Sequence, residues 1–232
     1  MKNILCTLLV ATAALATARA GNIIGTVHAE GKAGTDDESA GGAYASRKYK
    51  FAERVNYAEL HDFVVYIQGT VGTNHVVAPT NPVVVNTTRV TQQGAMFNPH
   101  VLPVVAGTTV EWPNNDQIFH NVFSVSDAKQ FDLGLYKGNP PEKHVTFDKP
   151  GRVDVFCSIH ANMHCVVLVL ENPYFALADS RNRYSISNIP PGTYKLTAWH
   201  ERMPLQTKEI TVPATGDVKA DFVLGISNLP QY

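Results

Sequence analysis

The sequence predicts an all-β protein built from sandwiches. Three observations carry that expectation. Helical periodicity is nearly absent after the first twenty residues, short Val, Ile, Thr and aromatic runs recur, and Gly, Pro and Asn-Asp signals separate them. With 232 residues the chain has room for one or two domains, and 44% hydrophobic against 17% charged residues suits a folded protein. The predicted strands are Asn22 to His28, Asp62 to Gln68, Val83 to Val85, Thr108 to Trp112, Arg152 to Phe156 and Val166 to Leu170. Tyr184 to Ser187, Thr193 to Trp199, Lys208 to Val212 and Lys219 to Leu224 follow. Many short strands at such spacing belong to β-sandwiches.

The remaining segments each have a different signature. Lys2, the apolar stretch Ile4 to Ala18 and the small residues of Ala18-Arg19-Ala20 form the layout of a secretory signal peptide over residues 1–20. About 15 apolar residues are short for a membrane span, and no later segment is long and apolar enough to cross a bilayer. The expected location is therefore the periplasm, with no membrane span once the signal is removed. The segment from Glu30 to about Glu59 opens as a Gly- and charge-rich loop, with a short helix expected around Tyr57 to His61. Gly72 to Pro82 reads as a second polar connector. Removing residues 1–20 takes away Lys2 and Arg19, which leaves 17 basic against 20 acidic side chains. A mildly acidic chain of this kind gives no reason to expect nucleic acid as a partner.

The chemistry concentrates in Cys157-Ser158-Ile159-His160-Ala161-Asn162-Met163. A thiolate, an imidazole and a thioether lie three residues apart, just after a Val- and Phe-rich strand, so one loop can fold all three onto a point. A second imidazole, His120, comes from the upstream segment Trp112-Pro-Asn-Asn-Asp116-Gln-Ile-Phe-His120-Asn121. His₂Cys with a weak axial Met is the ligand set of blue-copper electron-transfer sites. Two readings compete for Cys157. In an oxidising compartment it can pair with Cys165 in a disulfide, which would remove the copper site and leave a structural β-sandwich.

Cys157-x-x-His160-x-x-Met163 has the spacing of amicyanin-like cupredoxins. Phe97-Asn-Pro99 through Gly107-Thr-Thr-Val110-Glu-Trp112-Pro-Asn114-Asn-Asp116, and Asp148-Lys-Pro150-Gly151, also resemble that plastocyanin-like family. The resemblance covers residues 82–170 and implies a Greek-key cupredoxin sandwich. It implies one type 1 copper, with His120, Cys157 and His160 as equatorial ligands and Met163 as the axial one. Asn121 resembles the residue that ties the two ligand loops together near Ser158, and Cys165 stands where the family often has glycine. His164 directly follows Met163, so an imidazole can replace or join the thioether.

The flanks resemble each other's missing half. Gly25-Thr-Val27 and Phe63 to Gly69 are similar to the opening strands of carboxypeptidase-regulatory-like, transthyretin-type sandwiches. Ala178 through Pro190-Pro191-Gly192 to Leu196 is similar to their continuation. The cupredoxin is thus expected as an insertion between residues 21–75 and 171–226 of a second, smaller sandwich. Trp199-His200-Glu201 is expected to be a strand end packed at the junction, and His100 a core or surface residue. Absence of a Ser-His-Asp set, phosphate loop or zinc-hydrolase motif gives the expectation that the chain is not an enzyme. The resulting expectation is single-electron carriage between redox partners, a cytochrome or a dehydrogenase. The alternative is copper binding for storage, delivery or sensing.

Overall fold

The computed structural model describes residues 20–31, 56–71, 89–138 and 143–225. The expected signal peptide, apart from Ala20, and the expected strand Val83 to Val85 lie outside the described residues. So do most of the polar segments after Glu30 and Gly72. The expected helix near Tyr57 is a single 3-10 turn, Tyr57–Glu59.

Seventeen strands are formed among the described residues: β1 (Gly21–Glu30), β2 (Val64–Ile67), β3 (Thr91–Gln92), β4 (Phe97–Asn98), β5 (Val101–Val105) and β6 (Thr108–Glu111). Then come β7 (His120–Ser126), β8 (Lys129–Tyr136), β9 (His144–Phe147), β10 (Gly151–Phe156), β11 (His164–Leu170) and β12 (Phe175–Leu177). Last are β13 (Arg183–Ile189), β14 (Gly192–His200), β15 (Met203–Val212), β16 (Asp217–Lys219) and β17 (Phe222–Gly225). The protein is all-β, as expected, with its strands in sandwich modules.

The central segment makes a five-stranded sheet in the order β5-β11-β10-β7-β8, covered by the small sheets β6-β9 and β3-β4. Strands β10 and β11 are antiparallel, whereas β11 and β5 run parallel with Val166 opposite Val101. Pro103 is tolerated in β5 because this strand is an edge and its missing N–H breaks no ladder bond. Between the layers lies a core of Val90, Leu102, Val110, Trp112, Val122, Phe147, Val153, Val155 and Val167, with Cys157, Met163 and Cys165 among them. Alternation sets this up directly. In β10, Val153 and Val155 point inward while Arg152 and Asp154 point out.

Strands from the two flanks make a second sandwich. One sheet has the order β13-β1-β16 with β17 also on β1, and the other the order β12-β2-β14-β15. Both early strands, β1 and β2, therefore pair with the C-terminal segment. Ile23, Val27, Phe63, Ile67, Ile186, Leu196 and Phe222 fill the space between these sheets. Gly25 is needed where β1 passes the link between β16 and β17: a Cβ there would fall 1.9 Å from the Ala220 carbonyl oxygen.

The chain leaves and re-enters this second sandwich at one doorway. Strands β2 and β12 pair antiparallel, Tyr66 opposite Phe175. Asn172 closes the doorway by donating from Nδ2 to the carbonyls of Ile67 at 2.7 Å and Gly69 at 2.6 Å, while its Oδ1 accepts from the Tyr174 amide.

A third apolar layer joins the two sandwiches. Val101, Val166, Leu168 and Leu170 from β5 and β11 pack on Val64, Phe175 and Trp199 from β2, β12 and β14. Consecutive residues of β11 thus serve different cores. Cys165, Val167 and Val169 face one and Val166, Leu168 and Leu170 the other, so the strand reads as a continuous apolar run.

Candidate metal centre

Two loops at one end of the five-stranded sheet bring the predicted ligands together. The first runs from Trp112 to β7. Asn114, fully buried, donates from Nδ2 to the carbonyls of Ile118 at 3.0 Å and Tyr136 at 3.1 Å, and its Oδ1 accepts from the Asp116 amide. Behind it, the Tyr136 hydroxyl donates to the Trp112 carbonyl at 2.6 Å, and Gln92 donates to that hydroxyl. Burial pushes the Tyr136 phenol well above its ordinary range, so it stays a donor. These bonds fix the loop that delivers His120 to the start of β7.

The second loop follows β10. It is closed by the Cys157 amide donating to the Met163 carbonyl at 3.1 Å and the Met163 amide donating to the His160 carbonyl at 3.0 Å. This turn folds Cys157 and His160 to the same side. Sγ of Cys157 lies 3.6 Å from Nδ1 of His160, and Nδ1 of His120 lies 3.0 Å from Nδ1 of His160. The three ligand atoms all fall within 4.8 Å of one another. His120 and Cys157 are buried and His160 is half-buried. Met163 is 1% exposed and packs in the same core cluster as Cys157.

Electrostatics orient these donors. Nε2 of His120 stands 2.8 Å from an Asp116 carboxylate oxygen, which leaves Nδ1 as the nitrogen aimed at the cluster. That carboxylate is itself clamped by the amides of Ala95 at 2.9 Å and Gly94 at 2.7 Å. The Ala95 amide first, then His120 and the Gly94 amide, hold its pKa below the usual carboxylate range. The backbone amide of Asn121 donates to Cys157 Sγ at 3.4 Å, which links the two ligand loops.

Sequence reasoning missed Asp116 as a working residue, although its i, i+4 relation to His120 was in plain view within the Asn-Asn-Asp run. Asn121 links the two ligand loops through its backbone amide on Cys157 Sγ, next to Ser158, while its side chain donates from Nδ2 to Asp132 on β8 at 2.6 Å. The physical reason is the pairing of β7 with β8, which carries Asp132 beside Asn121 and offers a charged acceptor. His164 does not join the cluster. Its ring stacks on Phe156 with centroids 4.8 Å apart, and its Nε2 faces Asp154 at 3.0 Å. Cys157 and Cys165 are both free and buried, so the disulfide reading is not met. Burial pushes the Cys165 thiol well up, which makes it an inert core residue.

The donor chemistry suits copper: a cysteine sulfur and two imidazoles converge, with a thioether packed into the same core. Comparison with known proteins agrees. Residues 84–170 match the family described as copper binding proteins, plastocyanin/azurin family. Residues 169–220 match polysaccharide lyase family 4, domain II, where the sequence had suggested a carboxypeptidase-regulatory-like module. No curated protein matches the chain.

Similar solved structures include the Cu-containing nitrite reductase (NirK) from Thermus scotoductus SA-01, at 25% identity and TM-score 0.35. That match covers 41% of this chain and 28% of the reductase, so the chain spans well under a third of its length. A purple cupredoxin from Nitrosopumilus maritimus matches at 24% identity and TM-score 0.30, over 35% of this chain and 97% of its own. An amicyanin variant in its reduced Cu(I) form matches at 24% identity and TM-score 0.32, over 40% and 91%. The first of these bears the name of an enzyme. This corrects the expectation that the chain is not an enzyme, because likeness in this fold does not separate carriers from catalysts. Copper is the cofactor on which the donor set and the matched family agree.

Proposed function

We propose that the chain carries single electrons between redox partners in the periplasm, through one copper held by His120, Cys157, His160 and Met163. Bound in this set, copper supplies a Cu(I)/Cu(II) couple. A carrier of this kind would take one electron from a reduced partner protein and give one to an oxidised partner, with no net change over a cycle. The observation that supports this reading most is the convergence of Cys157, His160 and His120 from two loops whose backbones are braced by hydrogen bonds. Donors fixed in advance need little rearrangement when the charge changes.

The chain's own residues divide the work. Asp116 holds His120 in one tautomer, the Asn121 amide donates to the Cys157 sulfur, and the 157–163 turn keeps His160 near the surface. Around that end, Ile118 is 48%, Phe119 57% and Ile159 51% exposed, an apolar rim on which a cytochrome or dehydrogenase can dock beside His160. The periplasmic reading rests on the N-terminal apolar stretch and its Ala18-Arg19-Ala20 end. No helix among the described residues is long and apolar enough to cross a membrane. The flanking sandwich is read as an accessory module of carboxypeptidase-regulatory-like kind on its Pro190-Pro191-Gly192 turn.

Stoichiometric Cu(II) addition to the reduced protein, followed by visible absorption and EPR, tests the reading. The expected result is an intense thiolate-to-copper band with narrow hyperfine splitting that Cys157→Ser abolishes. A pale spectrum with ordinary splitting, the same in both proteins, would sink it.

A further inference from the structure

Outside the sulfur-containing cluster, a second set of metal-ligating side chains converges among the described residues. His100, His164 and Glu201 place their ligand atoms within 4.8 Å of one another. They come from separate parts of the fold. His100 precedes β5, His164 opens β11, and Glu201 follows β14, so two belong to the central sandwich and the third reaches across from the flanking one.

The surroundings of this set are ordered in the way that metal-binding imidazoles require. Nδ1 of His100 lies 3.2 Å from the His164 carbonyl oxygen, which leaves Nε2 facing Glu201 Oε1 at 2.8 Å. Nε2 of His164 is held by Asp154 at 3.0 Å, which leaves Nδ1 as its available nitrogen. Anchoring one ring nitrogen on a carbonyl or carboxylate while the other stays available is how proteins aim histidine ligands. Arg152 steadies both sides: its Nε and Nη2 grip Asp154, and its Nη1 donates to the Glu201 backbone carbonyl at 3.0 Å. The Glu201 side chain is only 16% exposed and that of His164 24%, while His100 is 40% exposed, so the set sits in the seam with its His100 side open to solvent. The His100–Glu201 ion pair and the Asp154 and Phe156 contacts of His164 hold each residue in place, and together they bring all three ligand atoms to one point.

We propose that this seam binds a second, separate metal ion, a divalent transition ion such as Zn²⁺ or Cu²⁺, through His100 Nε2, His164 Nδ1 and a Glu201 carboxylate oxygen. Two imidazoles and a carboxylate suit these ions, and the lack of a sulfur donor disfavours Cu(I). Three protein ligands leave a further position open to water or a small anion. Because the ligands come from both sandwiches, the binding free energy of the ion becomes stability of the seam. The site does not depend on the electron-carrier reading.

The test uses the full chain carrying Cys157→Ser, which disables the sulfur-containing site, with Zn²⁺ as probe. Calorimetric titration and metal analysis of the dialysed protein read the stoichiometry. Adding Glu201→Gln or His100→Asn is expected to remove about one equivalent of bound Zn²⁺ and to abolish the rise in melting temperature that Zn²⁺ produces. Glu201→Gln keeps the size and hydrogen-bonding capacity of the side chain, so it carries the test if His100→Asn does not fold, as circular dichroism would show. If the Cys157→Ser chain binds no Zn²⁺, or binds the same amount after both substitutions, the proposal is overturned. Failure of the carrier reading is seen separately, as a missing thiolate band in the unsubstituted protein, and leaves this titration untouched.

Discussion

The two sandwiches use polar residues at strand ends in opposite ways. In the flanking one, such groups are spent on backbone. Asn172 binds the carbonyls of Ile67 and Gly69, Asp179 accepts from the amides of Arg181 and Arg183, and Asp221 accepts from the amide of Thr26. In the central one, His120, Cys157 and His160 point their donor atoms at one another instead. Polar groups satisfied by backbone hold a fold together, whereas lone pairs aimed at a shared point hold a ligand. Asp116 belongs to both classes, since it accepts from Gly94 and Ala95 on one side and orients His120 on the other.

The largest expected effect concerns the layer between the sandwiches. Leu168→Ala empties a buried position there, and should cost about 2–5 kcal/mol. Thermal unfolding followed by calorimetry is expected to keep one transition at a lower temperature. Two separated transitions would show that the sandwiches are energetically independent and would break the comparison as a statement about one cooperative body.

Next comes Asp116→Asn. Loss of the carboxylate behind His120 is expected to weaken copper retention by about tenfold to a hundredfold while leaving the fold in place. Competition with a copper chelator reads the affinity, and an unchanged value would move Asp116 into the purely structural class.

Asn172→Ala should act in the reverse sense. Leaving the Ile67 and Gly69 carbonyls without their donor is expected to cost about 1–3 kcal/mol of stability in urea unfolding, with the copper spectrum unaltered. A shifted copper band would mean that the doorway and the ligand loops are coupled.

The smallest effect is at Asp221. Lys219 first, then Thr26, lowers its carboxyl to about 2. A carboxyl depressed on folding contributes stability that is present above its unfolded value of 3.8 and is lost as pH falls towards 2. The side chain is 41% exposed, so solvent screening keeps the contribution within about 1 kcal/mol. Acid unfolding of Asp221→Asn should be less steep between about pH 4 and 2 than that of the unsubstituted chain, and an identical slope would remove Asp221 from the set.

Legibility in the sequence followed the range of the interactions. The loop Cys157 to Met163 is local, so spacing alone exposed its donors. Strands with full Val and Ile alternation, such as β10, could likewise be read directly. Strand β8, by contrast, has Gly134 in its middle and exposed residues at alternating positions on a sheet edge, so little in Lys-Gln-Phe-Asp-Leu-Gly-Leu-Tyr announces it. Its pairing with β7 is what brings Asp132 beside Asn121, and that could not be read without the sheet order. His100 and Glu201 lie 101 residues apart in the chain, and only the packing of one sandwich on the other makes them neighbours.

Strand β11 carries one more implication. It is hydrogen-bonded on both edges, to β5 and β10, and its side chains are buried on both faces. Amide hydrogens along Val166 to Leu170 are therefore expected to exchange slowly with deuterium, because their exposure requires two cores to open at once. Met163 sits at its root, whereas His160 hangs in the turn before it. The metal pocket thus has Met163 and His120 on its buried side and His160 on its solvent side, so an ion held there would be reached from solvent by way of His160.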